Sequence, residues 1–232
     1  MEKQKYTAIV LAAGSGKRMN SKVHKQYLII QDRPVLYYSL KAFEDSAVDE
    51  IVLVVGKGEE KFCRKEIVDK YGISKVKAIV EGGKERYHSV FEGLKQTSDA
   101  DYVLIHDGAR PFVNQDIIRR CMQEVQKYQA CVVGMPVKDT IKIADEEGYA
   151  KQTPDRKNVW MIQTPQTFSY ALIYEAYEAM LKTEDTAITD DAMVLERIKG
   201  KKSKLIEGSY RNIKITTPED LLIANVYLQH PE

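Results

Sequence analysis

The chain has little of what would tie it to a membrane, to an oxidising compartment or to a polyanionic partner. It has three cysteines, Cys63, Cys121 and Cys131, an odd count without metal-ligand spacing. That excludes a dense disulfide framework and points to free thiols in a reducing cytosol. The four histidines, His24, His88, His106 and His230, show no zinc-site spacing either. No apolar run approaches the ~20 residues a membrane span needs, and the mean hydropathy of -0.40 fits a soluble globular protein. After Met1-Glu2-Lys3-Gln4-Lys5 the apolar stretch at 8–13 is short and runs into a glycine loop, so no export leader is expected. Charge of one sign is missing too: Lys+Arg 35 against Asp+Glu 34 leaves +1. Such a balance calls for neither nucleic acid nor a membrane, and basic residues that act on a ligand must be gathered locally. Repeats, linkers and low-complexity segments are absent. The 232 residues, 44% hydrophobic, are therefore expected to form a single domain, 1–232, around one substantial core.

What is present alternates. Thr7-Ala8-Ile9-Val10-Leu11-Ala12 is apolar throughout, as a strand buried on both faces should be. Similar runs follow at 50–55, 76–80, 102–106 and 130–135. Helical spacing lies between them: Leu36, Leu40 and Phe43; Tyr87, Val90, Phe91 and Leu94; Ile118, Cys121, Met122 and Val125 behind a candidate N-cap at Asn114. Strands alternating with helices imply right-handed crossovers and a largely parallel sheet covered on both sides. The pattern changes after Pro136. Segments 137–143 and 148–162 read as extended chain around a turn at Asp145-Glu146-Glu147-Gly148, so 136–162 is expected to project as an arm or hairpin. Helices resume at 169–182 and 190–198. A last strand is expected over 212–215, before a helix that Thr217, Pro218 and Asp220 would start.

The strongest local signal is Leu11-Ala12-Ala13-Gly14-Ser15-Gly16-Lys17-Arg18-Met19, directly after the first strand. Small residues let backbone approach a phosphate chain, and Arg18 and Lys25 add cations nearby. Carboxyl ends of parallel strands are where such sheets bind ligands. The spacing matches neither G-x-x-x-x-G-K-[ST] nor the three-glycine dinucleotide fingerprint, and the loop alone does not decide between a phosphate cradle and a plain turn. His106-Asp107-Gly108-Ala109-Arg110-Pro111 ends another strand. There a carboxylate suits magnesium and Arg110 suits an anion, although an Asp-Gly turn with a surface ion pair explains the same residues. His106 reads as structural rather than catalytic. In Gly82-Gly83-Lys84-Glu85-Arg86-Tyr87-His88-Ser89 two glycines precede a helix, and Ser89 is in place to bond a base or ribose, or simply to cap. Lys214 inside an apolar stretch either reaches a phosphate or is solvated on an edge.

Together these segments resemble the 2-C-methyl-D-erythritol 4-phosphate cytidylyltransferases, nearly end to end. The resemblance rests on Ala12-Ala13-Gly14-x-Gly16-x-Arg18-Met19 with Lys25-Gln26-Tyr27, then Gly82-Gly83-x-x-Arg86-x-x-Ser89-Val90 and His106-Asp107-Gly108-Ala109-Arg110-Pro111. It continues through Pro136-Val137-Lys138-Asp139-Thr140, Gln163-Thr164-Pro165-Gln166, Thr189-Asp190-Asp191-Ala192 and Asn212-Ile213-Lys214-Ile215-Thr216-Thr217-Pro218. It implies a Rossmann-like, nucleotidyltransferase-type α/β three-layer sandwich with a mostly parallel sheet and a protruding β-arm, and homodimers that clasp through that arm. It implies transfer of CMP from CTP, with magnesium, to a small sugar-alcohol phosphate. Ala12, Ala13, Gly14, Gly16, Gly83 and Ser89 would hold CTP; Arg18, Lys25 and Lys214 would stabilise the transferring phosphate. Asp107, Arg110, Thr140, Arg156, Thr164 and Thr189 would bind the acceptor, Thr140 and Arg156 from the neighbour's arm, and Asp107 would also serve magnesium. At Lys84 many relatives carry Asp, so that base contact is not carried over. The nearest alternative, ribitol-5-phosphate cytidylyltransferase, tends to read Leu-Ala-Gly-Gly and His-Asp-Ala-Val-Arg-Pro where this chain has Ala12-Ala13-Gly14 and Gly108-Ala109-Arg110. A non-catalytic nucleotide-binding regulator should have lost Arg18, Lys25 or Lys214.

Overall fold

The computed structural model describes residues 3–14, 24–97, 99–183 and 187–230. The chain runs β1 (Tyr6–Ala12), α1 (Val35–Glu44), β2 (Glu50–Val55), β3 (Val76–Glu81), α2 (Arg86–Leu94), β4 (Tyr102–Asp107), α3 (Gln115–Tyr128) and β5 (Ala130–Pro136). It continues with the short strands β6 (Ile143–Ala144) and β7 (Ala150–Gln152), then β8 (Trp160–Ser169), α4 (Tyr170–Met180), α5 (Asp191–Lys199), β9 (Lys204–Glu207) and α6 (Pro218–Gln229). Seven strands form one sheet in the order β9-β5-β8-β4-β1-β2-β3. β1 is parallel to β2 and β4, β2 to β3, and β9 to β5; β8 runs antiparallel between β4 and β5. This is an α/β fold with a mixed, mostly parallel sheet.

Period-2 alternation explains the sandwich. Ala8 and Val10 point to one face, against Leu36, Leu40 and Phe43 of α1 and Ile118, Cys121 and Val125 of α3. Ile9 points to the other, against Val90 and Leu94 of α2 and Ile173 and Tyr177 of α4. Ile9, Leu36, Leu40, Phe43 and Leu94 are fully buried, each such side chain contributing roughly 1.5–3 kcal/mol of burial. The helices start where side chains supply the first amides with partners. The Asn114 side chain accepts from Ile117 N at 3.0 Å, and Thr217 with Asp220 forms a capping box around Pro218.

Two expectations give way. β8 is a full sheet strand, not the end of an arm, and its middle is polar: Gln163, Thr164, Gln166 and Thr167 are all buried. Gln163, Thr164 and Gln166 line a cavity rather than fill the core, so the strand lacks an apolar signature. Residues 212–215 form no strand either. In that run Asn212 N and Ile213 N bond locally, to Ser209 O and Arg211 O, and Ile215 N reaches Ala109 O at 2.8 Å, while the edge position belongs to β9.

The stretch expected to project holds a short hairpin. Pro136 ends β5 and Trp160 opens β8, and Val137 N bonds Val159 O at 3.1 Å across its base. Beyond it β6 and β7 form a hairpin that turns at Gly148, whose φ of 88 favours glycine. Ile143 and Tyr149 on this hairpin are exposed, at 45% and 70%.

Candidate active site

Three loops leave the carboxyl ends of parallel strands on one side of the sheet: 12–14 after β1, 82–85 after β3 and 107–110 after β4. β1 lies where the strand order reverses, so a crevice opens there. It holds a cavity of about 370 Å³ lined by Ala12, Ala13, Gly14, Lys25, Gly83, Lys84, Ser89, Asp107 and Lys214, among others. The two glycine loops are packed against each other. A Cβ at Gly83 would stand 2.3 Å from the His88 Cβ, so only glycine fits that turn. The Ser89 hydroxyl accepts from Gly83 N at 3.1 Å and reaches Glu85 O at 3.3 Å. Ser89 thus shapes the loop and still borders the cavity. The Gln26 amide donates to Ala12 O and anchors the end of β1. Gly16 and Arg18 lie outside the described residues.

Asp107 is the electrostatic centre. Arg86 Nε lies 3.3 Å from its Oδ1 and Lys214 Nζ 2.7 Å from its Oδ2, with Arg110 Nε at 3.9 Å. Burial alone would push this carboxyl up; Arg86, Lys214 and Arg110 overcome it and hold Asp107 far below the usual carboxylate range. Arg86 also forks onto Asp191, Nη1 at 2.8 Å and Nη2 at 2.9 Å. Burial pushes the Arg110 guanidinium down, and Asp107 opposes it; Arg110 Nη1 donates to Asn212 O at 2.8 Å.

These surroundings bear on the expected metal role of Asp107. Its two oxygens are already engaged by cations, and a magnesium ion there would enter a shell of positive side chains. Among the described residues, no group of three or more His, Cys, Asp or Glu stands together to hold a metal. Among the described residues, Asp107 stands without the further carboxylates or histidines beside it that would complete a metal site.

A second cavity of about 320 Å³ adjoins the first and shares Arg86, Asp107 and Lys214 with it. Arg110, Thr164, Gln166 and Thr189 complete its lining with Ile162, Gln163 and Asp190. A buried hydrogen-bond chain sets its floor. Thr164 Oγ1 accepts from Asp107 N at 3.1 Å and lies 3.0 Å from His106 Nδ1, while His106 Nε2 lies 3.2 Å from Arg110 O. The Arg110 carbonyl can only accept, so Nε2 carries the proton and Nδ1 accepts from Thr164. Burial pushes His106 down to about 4, which keeps it neutral and structural, as the sequence suggested.

The structure brings Lys25, Lys214, Asp107, Arg110, Thr164 and Thr189 together at these cavities. It does not bring Thr140 or Arg156 to them. Both are exposed on the arm, and Arg156 Nη1 donates to Lys138 O at 2.9 Å. Sequence reasoning assigned no role to Arg86, Gln166, Asp191 or Asn212. Gln166 Oε1 accepts from the amides of Asp191 and Ala192, at 3.0 and 2.9 Å. Asn212 Nδ2 donates to Thr164 O at 2.9 Å. The available signal was polar residues, Gln163 to Thr167, inside a strand-length run.

The chain is similar to known proteins along nearly its whole length. The family model described as IspD, 2-C-methyl-D-erythritol 4-phosphate cytidylyltransferase, matches residues 6–230. A protein of that name from Lachnoclostridium phytofermentans is 51% identical over 226 residues, 97% of each chain. Another from Lachnospira eligens is 54% identical over 225 residues, covering 96% of this chain and 99% of its own. The crystal structure of 4-diphosphocytidyl-2C-methyl-D-erythritol synthase from Anaerococcus prevotii superposes with a TM-score of 0.86 at 38% identity, covering 98% of this chain and 97% of its own.

Proposed function

This chain belongs to the 2-C-methyl-D-erythritol 4-phosphate cytidylyltransferase family and transfers CMP from CTP to 2-C-methyl-D-erythritol 4-phosphate, giving 4-diphosphocytidyl-2-C-methyl-D-erythritol and pyrophosphate; we propose the following division of labour for its residues. Ala12, Ala13, Gly14, Gly83 and Ser89, at the larger cavity, hold CTP; Gly16, outside the described residues, is assigned to the same task from its motif. Asp107, Arg110, Thr164 and Thr189 hold the acceptor in the smaller one. The observation that carries this reading is the wall the two cavities share, where Lys214 and Asp107 stand 2.7 Å apart.

The chemistry follows from charge. The acceptor phosphate has its second pKa near ~6 and is mostly dianionic at neutral pH. One of its oxygens attacks the α-phosphorus of CTP; an O–P bond forms, the bond to the β-phosphate oxygen breaks, and pyrophosphate leaves with the electron pair. No general base is needed. The barrier is repulsion between anions, which Arg18, Lys25 and Lys214 offset with preorganised positive charge. A divalent metal accompanies this chemistry. When bound with CTP, magnesium would neutralise phosphate charge, and Asp107, already engaged by Arg86 and Lys214, would leave most of its coordination to the nucleotide.

The arm supports a homodimer in which Thr140 and Arg156 complete the neighbour's acceptor site. No described helix is long and apolar enough to cross a membrane, and three free cysteines fit a cytoplasmic enzyme. The test is direct: incubate the protein with CTP, magnesium and either methylerythritol phosphate or ribitol phosphate and follow pyrophosphate release. A higher kcat/KM with ribitol phosphate would overturn the acceptor assignment.

A further inference from the structure

Asp191 opens α5 on the acceptor side, and Arg86 opens α2 beside the nucleotide loop. Asp191 is fully buried. Its carboxylate takes both Arg86 Nη groups, and Oδ1 also accepts from the Tyr177 hydroxyl at 2.5 Å. Its amide is held by Gln166, so the carboxylate cannot follow Arg86 if that side chain moves. Arg86 has only Nε left, and Nε meets Asp107 Oδ1 at 3.3 Å. The opposite oxygen, Oδ2, is thereby left to Lys214 at 2.7 Å, with Arg110 Nε farther off at 3.9 Å.

We propose that Asp191 is a positioning residue for the transfer: by clamping the Arg86 fork it confines Arg86 to one oxygen of Asp107 and so keeps Lys214 seated on the other, at the wall between the two cavities. The physical reason is competition for a carboxylate. An unclamped guanidinium takes a carboxylate with two parallel N–H bonds. Without Asp191, Arg86 would turn its Nη groups onto Asp107 and displace the Lys214 ammonium, which holds its place by a single contact. Lysine at position 86 could not replace this device, because a point charge cannot face two carboxylates along fixed directions. Burying an ion pair gains a fold little by itself, which argues that this one is kept for what it holds in place.

The inference rests on the reading of Lys214 as a transfer residue, and two readouts keep the ideas separable. The first needs no turnover: the rate at which an amine-reactive reagent labels Lys214, followed by mass spectrometry. Asp191→Asn should raise it by about threefold or more as the ammonium leaves Asp107. Adding Arg86→Gln removes the competitor and should return labelling to the wild-type rate. The second readout is kinetic. Asp191→Asn should lower kcat by about 10²-fold and leave the CTP Kd within about threefold. Arg86→Gln should also lower kcat, and the double variant should be no slower than the slower single one, since residues acting through each other are not additive. A merely structural Asp191 would multiply the two losses. Multiplied losses, or Lys214 labelling unchanged in Asp191→Asn, overturn the proposal. If Asp191→Asn shows no cooperative melt, Tyr177→Phe loosens the same clamp with one hydrogen bond; wild-type labelling and kcat in that variant would overturn it equally. Wild-type protein that labels as expected but releases no pyrophosphate would instead sink the substrate reading.

Discussion

Gly82 and Ala13 meet backbone to methyl: a Cβ at Gly82 would stand 2.5 Å from the Ala13 Cβ and 2.6 Å from Ser89 Oγ. The loops after β1 and β3 therefore touch, and their contact sets one wall of the nucleotide cavity. Gly82→Ala must push the Ala13–Gly14 backbone away or dislodge Ser89, whose hydroxyl holds the Gly83 amide. Overpacking of this kind costs about 1–3 kcal/mol, and here it falls on ligand-facing backbone. CTP should bind at least about tenfold more weakly, while the melting temperature drops only modestly. Calorimetric titration with CTP and a thermal melt measure both; unchanged CTP affinity would show that the two loops do not form the nucleotide wall.

Lys214→Ala should lower kcat by about 10²–10³-fold, the usual effect of deleting one preorganised charge contact at a transfer site. Stability should change little, because Asp107 keeps Arg86 and Arg110 as partners. Single-turnover measurement separates this outcome from its rival. A rise in acceptor KM with the chemical step near wild type would make Lys214 an acceptor-binding residue only.

His106 predicts a pH dependence of stability. Its folded pKa is pushed down to about 4 by burial, against about 6.5 in an unfolded chain. Between those values the unfolded state binds a proton that the native state refuses, so stability falls as pH drops through that window and is unaffected above it. At pH 4.5 the loss attributable to this one group is about 2.5 kcal/mol. Asp107 adds to it only in more acid solution, once pH falls below its ordinary value. Urea titrations of wild type and His106→Gln at pH 7 and pH 4.5 test this. The variant should be less stable at pH 7, where it loses the Thr164–His106–Arg110 chain, yet lose about 2.5 kcal/mol less on acidification. Equal losses in both proteins would refute the assignment.

The parts legible in the sequence were those built by local physics. β1 to β5 announce themselves as apolar runs because both faces of the sheet are covered, and α3 and α6 announce themselves by their caps. β8 was hidden because its interior is polar: Thr164 and Gln166 hydrogen-bond around Asp107 and α5, and Gln163 bonds Ser209 and Asn212. The alternation of Ile213, Lys214 and Ile215 imitated an edge strand, but Asn212 and Ile215 tie that run to Thr164 and Ala109 instead. Loop residues that line the cavities were visible as glycine and charge clusters. Arg86 and Asp191 were not visible as a pair: 105 positions separate them, and neither residue alone signals which charge it will meet.

The arm yields the sharpest test of the assembled enzyme. Arg156 is exposed on it, where its Nη1 donates to Lys138 O, whereas Lys214 reaches the cavities of its own chain. If the arm serves a neighbour, each site combines its own Lys214 with the partner's Arg156. Lys214→Ala and Arg156→Ala homodimers should then both be nearly inactive, the first in transfer and the second in holding the acceptor phosphate. Mixing the two and allowing exchange creates heterodimers. The site on the Arg156→Ala chain has its own Lys214 and borrows Arg156, so it is intact; the other site has lost both. With random two-fold pairing half the dimers are mixed, so about a quarter of all sites should recover. An Arg156 acting within its own chain predicts no recovery, since every site would carry one lesion. Exchange is verified separately with a tagged subunit, and a fully exchanged mixture no more active than its parents would rule out the shared site.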